Sequence, residues 1–258
     1  MPMKETETYY YPIAVNVDEK MMQQHFLSDL SINSVLFSYH EERLHVLLLR
    51  LATSDHFMLP GGFVKKEEDL DDAAMRNLKE MAGLDQIYLE QFYVAGQTGR
   101  AYDPMARDAL NKFGLKKIEK WLSDRKISIC YYALVNSPEL QLKVNEAIIS
   151  EARWVPVEEL PPLLFDHKMI IDKAIGRLQL DMDRKVISTY LLNETFTMPE
   201  LQKLYEAVYQ QKLTRSNFQR RMLNLNILDR LGKRNDGGSH RAPYLYRFKP
   251  SKIEVNLN

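Results

Sequence analysis

A single cysteine, Cys130, serves 258 residues. One thiol builds neither a disulfide framework nor a cysteine metal cluster. Its setting in the apolar run ISICYYALV reads as a small buried hydrophobe in a reduced compartment. Long apolar runs are also missing: none approaches the ~20 residues that cross a bilayer. The opening MPMKETETYYYPIAV lacks the charged-then-apolar order of a secretion signal. A cytoplasmic protein without membrane association is expected. The six histidines, His25, His40, His45, His56, His167 and His240, form no HExxH or paired ligand pattern. Gly-x-Ser-x-Gly is absent too, so neither a metal, nor a cofactor, nor a hydrolase triad is expected. His167 is read as capping or bracing the connecting helix.

Net charge is the last absence, and it hides a split. Of 35 basic and 35 acidic residues, 14 and 7 lie from Met182 onward, a balance of +7; the remaining 21 and 28 leave −7 for the rest. An acidic body joined to a basic module suggests two jobs.

Within the acidic body, Ser34–Tyr39 and Arg43–Leu51 predict a hairpin, and Phe57–Leu59 a short strand entering a Gly61-Gly62 turn. Leu70, Ala74, Leu78 and Met81 recur at helical spacing in a helix over 68–82 that Gly83 closes. Tyr88–Val94, Ile127–Val135 and Ala152–Pro156 predict strands. Between the first two lies MARDALNKFGLKKIEKWLSDRK, a polar helical insertion with a break at Gly114. Phe113 and Trp121 within it are read as packing groups. Val157–Leu160 predicts a short helix before Pro161-Pro162, and Asp166 to about Leu178 a connecting helix. Tyr9–Tyr11 fits a dimer edge or a core equally well. Three parts are expected: residues 1–165, a connecting helix within 166–181, and 182–258. The mixed element order implies a layered α+β body.

The basic module reads differently. Arg184–Leu192 predicts one helix. Thr197-Met-Pro-Glu200 is a capping box, opening a helix with Leu201, Leu204, Tyr205 and Val208 on one face. After a break at Gln210–Leu213, Thr214 caps a helix with Phe218, Met222 and Leu225 inward and Arg215, Gln219, Arg221 and Asn224 outward. ILDRLGKRNDGGSHRAPYLYRFKP then reads as two strands joined by an Asn-Asp-Gly-Gly turn. Helix, helix, helix, hairpin is the order of a winged helix-turn-helix. The second helix of such a motif enters the major groove, which nominates Thr214, Arg215, Ser216, Asn217, Gln219, Arg220 and Arg221 for DNA contact. Arg bridges guanine, and Asn or Gln adenine. Lys233, Arg234, His240 and Arg241 flank the wing turn and suit phosphates. A dimer reading two half-sites of a double-stranded operator is the natural arrangement.

The stretch LPGGFVKKEEDLDDAAMRNLKEMAGL has its own geometry. From Gly62, five residues lead to Glu68 and seven more to Arg76; positions 77, 80 and 81 share one helix face; Gly83 and Leu84 close it. This spacing resembles the Nudix box, in which carboxylates at those three positions hold Mg²⁺ against a diphosphate. Here they are Asn77, Glu80 and Met81. An amide cannot act as a base and a thioether is no ligand for Mg²⁺, so hydrolysis is not expected.

Nearly the whole chain resembles the Nudix-related transcriptional regulators, carried by YYYPIAV, LPGGFV, DDAA, ISICYYALVN, ELPPLLFDH, LQKLYEAVY and NFQRR. The resemblance implies an α+β fold, a Nudix α/β/α sandwich with a mixed sheet, followed by a C-terminal winged helix-turn-helix. It also implies a ligand-responsive regulator. NrtR-type members sense NAD-related ligands and others sense arabinose. The last two stretches are similar to the sugar-sensing branch, so the expectation is a repressor of sugar catabolism. The alternatives are an NrtR-like sensor of ADP-ribose or NAD-related ligands, and a pyrophosphatase with an accessory nucleic-acid-binding domain. About twenty residues are inserted after Tyr102-Asp103-Pro104, beside the expected ligand pocket. Arg50, Gly61, Gly62, Lys65, Arg100 and Asp103 are the candidate effector contacts.

Overall fold

A computed structural model describes residues 18–100, 103–135, 140–144, 146, 148–182, 191–234 and 242–249. The expectations at Tyr9–Tyr11, across most of the 184–192 helix, at the 235–238 turn and at His240 and Arg241 lie outside these residues.

The chain divides into two compact units. One comprises Met1–Phe37, Val46–Ala133 and Glu139–Ala174; the other Ser38–His45, Leu134–Pro138 and Ile175–Asn258. The units are therefore interleaved in sequence.

The larger unit opens with α1 (Glu19–His25), whose first turn is held by the Asp18 carboxylate accepting from Met21 N at 2.8 Å. Strand β1 (Phe26–His40) follows, longer than expected because its first half pairs antiparallel with β4 (Gly61–Lys65). The pairing Ser31↔Phe63, Ile32↔Gly62 and Asn33↔Gly61 makes Gly61-Gly62 the start of a strand where the sequence predicts a turn. Gly61 has no alternative there: a Cβ would stand 2.4 Å from Ile32 O and 2.8 Å from Asn33 Oδ1. With β2 (Arg43–Leu51), β3 (Phe57–Met58), β5 (Glu90–Ala95), β6 (Ile127–Leu134) and β7 (Ile149–Pro156), these strands form one sheet. Its main path runs β3-β2-β1-β6-β5, with β4 on β1 and β7 on β2.

Helix α2 (Leu70–Ala82) places Ala74, Leu78 and Met81 in the core by its 3.6-residue period, with Leu70 packed half-buried at its start. Gly83, at φ 70°, ends it and donates to Lys79 O at 2.9 Å, a left-handed cap that glycine takes without strain. Ala73 and Ala74 pack with Ile32, Val64, Ile129 and Tyr131. Cutting a fully buried Leu78 to alanine would cost roughly 2–5 kcal/mol.

The insertion folds as α3 (Pro104–Lys112), a 3-10 turn (Leu115–Ile118) and α4 (Glu119–Ser123), broken by Gly114 at φ 79°. Leu115, Ile118 and Trp121 pack with Met22 into a second core, against Phe26, Phe63 and Phe113. The helix expected at Val157–Leu160 is instead a turn. Pro156 precedes it and Pro161-Pro162 follow, and prolines supply no N–H while forcing the preceding residue extended.

Helix α5 (His167–Asp181) begins in the larger unit and ends in the smaller. The smaller unit holds β8 (Phe196–Thr197), α6 (Met198–Tyr209), α7 (Arg215–Asn224), β9 (Leu228–Lys233) and β10 (Tyr244–Phe248). The capping box is complete: Thr197 N donates to Glu200 Oε2 at 2.6 Å and Thr197 Oγ1 accepts from Glu200 N. Tyr205 and Phe218 meet edge to face at 5.1 Å and lock α6 to α7. Tyr205 Oη donates to Met182 O and Tyr209 Oη to Gln179 O, tying α6 to the end of α5. The sheet has three strands, β8-β10-β9, one more than expected. Leu225, expected inward, is exposed because α7 ends at Asn224 and Asn226 takes φ 54°.

Candidate functional site

The helix face that would carry metal ligands is organised around Arg76. Its Nε reaches Glu68 Oε2 at 2.8 Å and its Nη2 reaches Glu68 Oε1 at 2.5 Å. Nη1 reaches Glu80 Oε2 at 3.1 Å and Asn77 Oδ1 at 3.3 Å, and Nη2 also donates to Phe63 O at 2.8 Å. Lys65 N adds a 2.6 Å bond to Glu68. Burial opposes the charge on Glu68, but the Arg76 and Lys65 bonds outweigh it and hold the carboxyl below its usual range. Burial pushes Glu80 up, and Arg76 offsets this only in part. Asn77 is 1% exposed and its amide donates to Phe63 O at 3.3 Å. Met81 is equally buried, and its Sδ accepts from Gly61 N at 3.4 Å.

A divalent cation does not fit this donor set. Magnesium needs charged or neutral oxygens in near-octahedral geometry. Both box carboxylates are held by one guanidinium, one further position is an amide bound to backbone, and the last is sulfur. Among the described residues, no three His, Cys, Asp or Glu side chains come together as a metal site.

A cavity of about 140 Å³ lies beside the Gly61-Gly62 strand. Its floor is Ile32, Asn33, Gly61, Gly62 and Phe63; the insertion adds Leu110, Leu122 and Asp124; Phe165, Asp166 and His167 close it. Arg100 is fixed at the wall, with Nε and Nη2 on Asp166 at 2.8 and 3.0 Å and Nη1 on Lys126 O at 2.8 Å. Lys126 is buried and donates to Ser28 O and Trp121 O, with its ammonium 4.1 Å from the Trp121 ring centroid. Burial lowers its pKa from the ordinary lysine value. Two cations, Arg100 and Lys126, and two carboxylates, Asp124 and Asp166, line the cavity, so their formal charges cancel.

His167 does not cap α5. Its Nδ1 accepts from Leu59 N at 3.0 Å, anchoring the loop that turns into β4. Burial lowers its pKa to about 4, so the ring is neutral. Cys130 is buried as expected, and burial raises its thiol to about 11.

Of the six candidate effector residues, the cavity gathers Gly61, Gly62 and Arg100. The other three lie elsewhere. Arg50 pairs with Glu151 at 3.1 Å and borders a separate groove with Thr53, His56 and Lys112. Lys65 offers its backbone N–H to Glu68. Asp103 accepts from Met105 N and Ala106 N at the start of α3, and from Phe165 N. Lys126, Asp124 and Asp166 escaped sequence reasoning. A lone lysine at the end of a polar insertion carries no signal of burial.

On the smaller unit, α7 exposes Thr214, Arg215, Ser216, Asn217, Arg220 and Arg221, with Gln219 half-buried. Arg220 Nη2 donates to Asn217 Oδ1 at 3.3 Å. Lys233 is exposed at the end of β9. Arg234 is engaged by Glu200 at 2.9 Å and so is tied to the start of α6.

A family model for the NUDIX domain matches residues 30–175, more than half of the chain, and a model for the NrtR DNA-binding winged helix domain matches 188–248. The chain belongs to the NUDIX family. This NUDIX protein is 28% identical over 235 residues to the "ADPR responsive transcriptional repressor NtrR" of Acinetobacter baylyi, covering 88% of this chain and 85% of that protein. The crystal structure of Shewanella oneidensis NrtR superposes with a TM-score of 0.59 at 27% identity, over 86% of this chain and 94% of the other. The same Shewanella protein complexed with a 27mer DNA gives 0.58 at 28% identity over the same shares. The NUDIX fold followed by a winged helix is thus established for this chain, and it is a DNA-binding regulator by kind.

Proposed function

We propose that this NUDIX protein is a transcriptional repressor that binds operator DNA through α7 and the wing, and binds ADP-ribose in its NUDIX domain without cleaving it. The observation that carries the non-catalytic part is Arg76. It occupies both box glutamates, while Asn77 and Met81 are turned into the core. Support for ADP-ribose comes from the Acinetobacter baylyi relative and its description. Support for DNA comes from the exposed polar face of α7, the basic balance beyond Met182, and the Shewanella oneidensis relative solved with DNA. A homodimer reading a near-palindrome completes the reading.

One observation favours a neutral sugar instead. The cavity's formal charges cancel and its volume is about 140 Å³. A cavity of roughly 150 Å³ takes one benzene-sized ring, whereas ADP-ribose carries a dianionic diphosphate and several rings. With a sugar as effector, the regulated genes would be those of sugar catabolism. Because α3 and α4 supply one wall, ADP-ribose would have to place a single ribose inside or displace them.

Purified protein with ADP-ribose and Mg²⁺ or Mn²⁺ should release no AMP, and ADP-ribose should raise the melting temperature. A shift produced by pentoses and not by ADP-ribose selects the sugar reading. Metal-dependent AMP release, lost on Glu80→Gln, would sink the non-catalytic reading.

A further inference from the structure

Four cations lie on the described part of the wing hairpin, and they are held in two ways. Arg234 is paired with Glu200 at 2.9 Å and Arg247 with Asp229 at 3.4 Å. Among the described residues Arg230 and Lys233 pair with no carboxylate; both sit on the ring of Tyr244. The Arg230 guanidinium carbon is 3.4 Å from the ring centroid and the Lys233 ammonium 5.6 Å. All three side chains are exposed, whereas Tyr246, two residues on, is buried.

The backbone explains the arrangement. Tyr244 is opposite Lys233, but the register shifts before Tyr246, which is opposite Arg230. A bulge of this kind increases local twist and brings Arg230, diagonal to Tyr244, across the ring. A planar guanidinium stacks on an aromatic face and keeps its edge N–H groups free for acceptors. A long side chain fixed beforehand loses less rotamer freedom when it meets an anion than one free in solvent.

We infer that Tyr244 is a positioning residue for DNA: its ring presents Arg230 and Lys233 as a preset pair of cations to backbone phosphates of the duplex. The inference rests on the DNA-binding reading; it adds Arg230 to the contact set nominated from sequence and makes Tyr244 the residue that positions it. The pair supplies affinity and leaves base preference to α7, because phosphates carry no sequence information.

The test uses the full chain, a duplex selected from random sequence, a shuffled duplex, and titration across salt. Arg230→Gln and Lys233→Gln should each flatten the salt dependence by about one charge's worth, alike on both duplexes. Tyr244→Leu should weaken binding about two- to fivefold, the size of an exposed cation–π contact, while leaving the salt slope unchanged. Tyr244→Phe, which keeps the ring, should bind as the unaltered chain does. In an Arg230→Gln, Lys233→Gln background, Tyr244→Leu should add nothing. Arg230→Lys provides a second route that leaves Tyr244 in place: charge and slope stay, and affinity falls because the flat stack is gone. The inference is overturned if Tyr244→Leu binds normally, if its loss persists without the two cations, or if Arg230→Gln leaves the slope unchanged. Absence of duplex binding by the unaltered chain removes the DNA reading and this inference together; normal binding with indifferent variants removes the inference alone.

Discussion

His167 shows how one buried side chain can set the acid stability of a site. Its ring must stay neutral to accept the Leu59 N–H at 3.0 Å, and burial holds its pKa at about 4 against 6.5 for a free histidine. Between those values the unfolded chain binds the extra proton and the folded chain does not. This stabilisation is fully present above pH 6.5 and is lost as pH falls towards 4, in total about 3 kcal/mol. Denaturant titrations from pH 7.5 to 4 should show that loss. They should show it flattened in His167→Asn, whose amide oxygen can accept the same N–H without titrating. An equal loss in the variant would place the pH dependence elsewhere. Arg76 teaches a different lesson at the same scale. Its spacing from Glu68 and Glu80 is visible in sequence, but its hold on both carboxylates is a fact of side-chain direction that no spacing encodes.

At the scale of elements, the parts that were legible are those with local physics. The apolar period of α2, Gly83 at its end, the break at Gly114 and the capping box at Thr197 each depend on neighbours within one or two turns. Thr197→Ala should therefore lower stability by about 1 kcal/mol, read from the urea midpoint with an unchanged slope; no change would mean that the Pro199 start alone suffices. What escaped depends on distant partners. β4 is a strand only because β1 accepts it, and β8 only because β10 does. Nothing within Gly61-Gly62 or Phe196-Thr197 announces that pairing. The cavity follows the same division. Gly61, Gly62 and Arg100 were readable as its edge, whereas Lys126 and Asp166 reach it through contacts that span the insertion and the start of α5.

For the whole molecule, the interleaving of the two units carries the largest consequence. Ser38–His45, the tip of the β1–β2 hairpin, belongs to the same compact unit as α6. Glu42 there pairs with Lys203, and Glu200 and Glu206 add to the burial that raises the Tyr39 hydroxyl's pKa. Strand β1 thus runs from cavity wall at Ser31–Asn33 to the hairpin tip, and α5 runs from His167 at the cavity to Gln179 beneath α6. Each is a continuous element with one end at the cavity and the other within the smaller unit. A ligand can bias such elements only by its differential affinity for their alternative positions. Calorimetry of the full chain should show one transition, which effector raises as a whole; two transitions, with only one moved by effector, would separate the halves thermodynamically. The same interleaving makes the protein a poor subject for dissection. A cut after Met182, between the two family matches, would leave Glu42 without Lys203 in one fragment and α6 without the end of α5 beneath it. Neither fragment would then report faithfully on the half it came from.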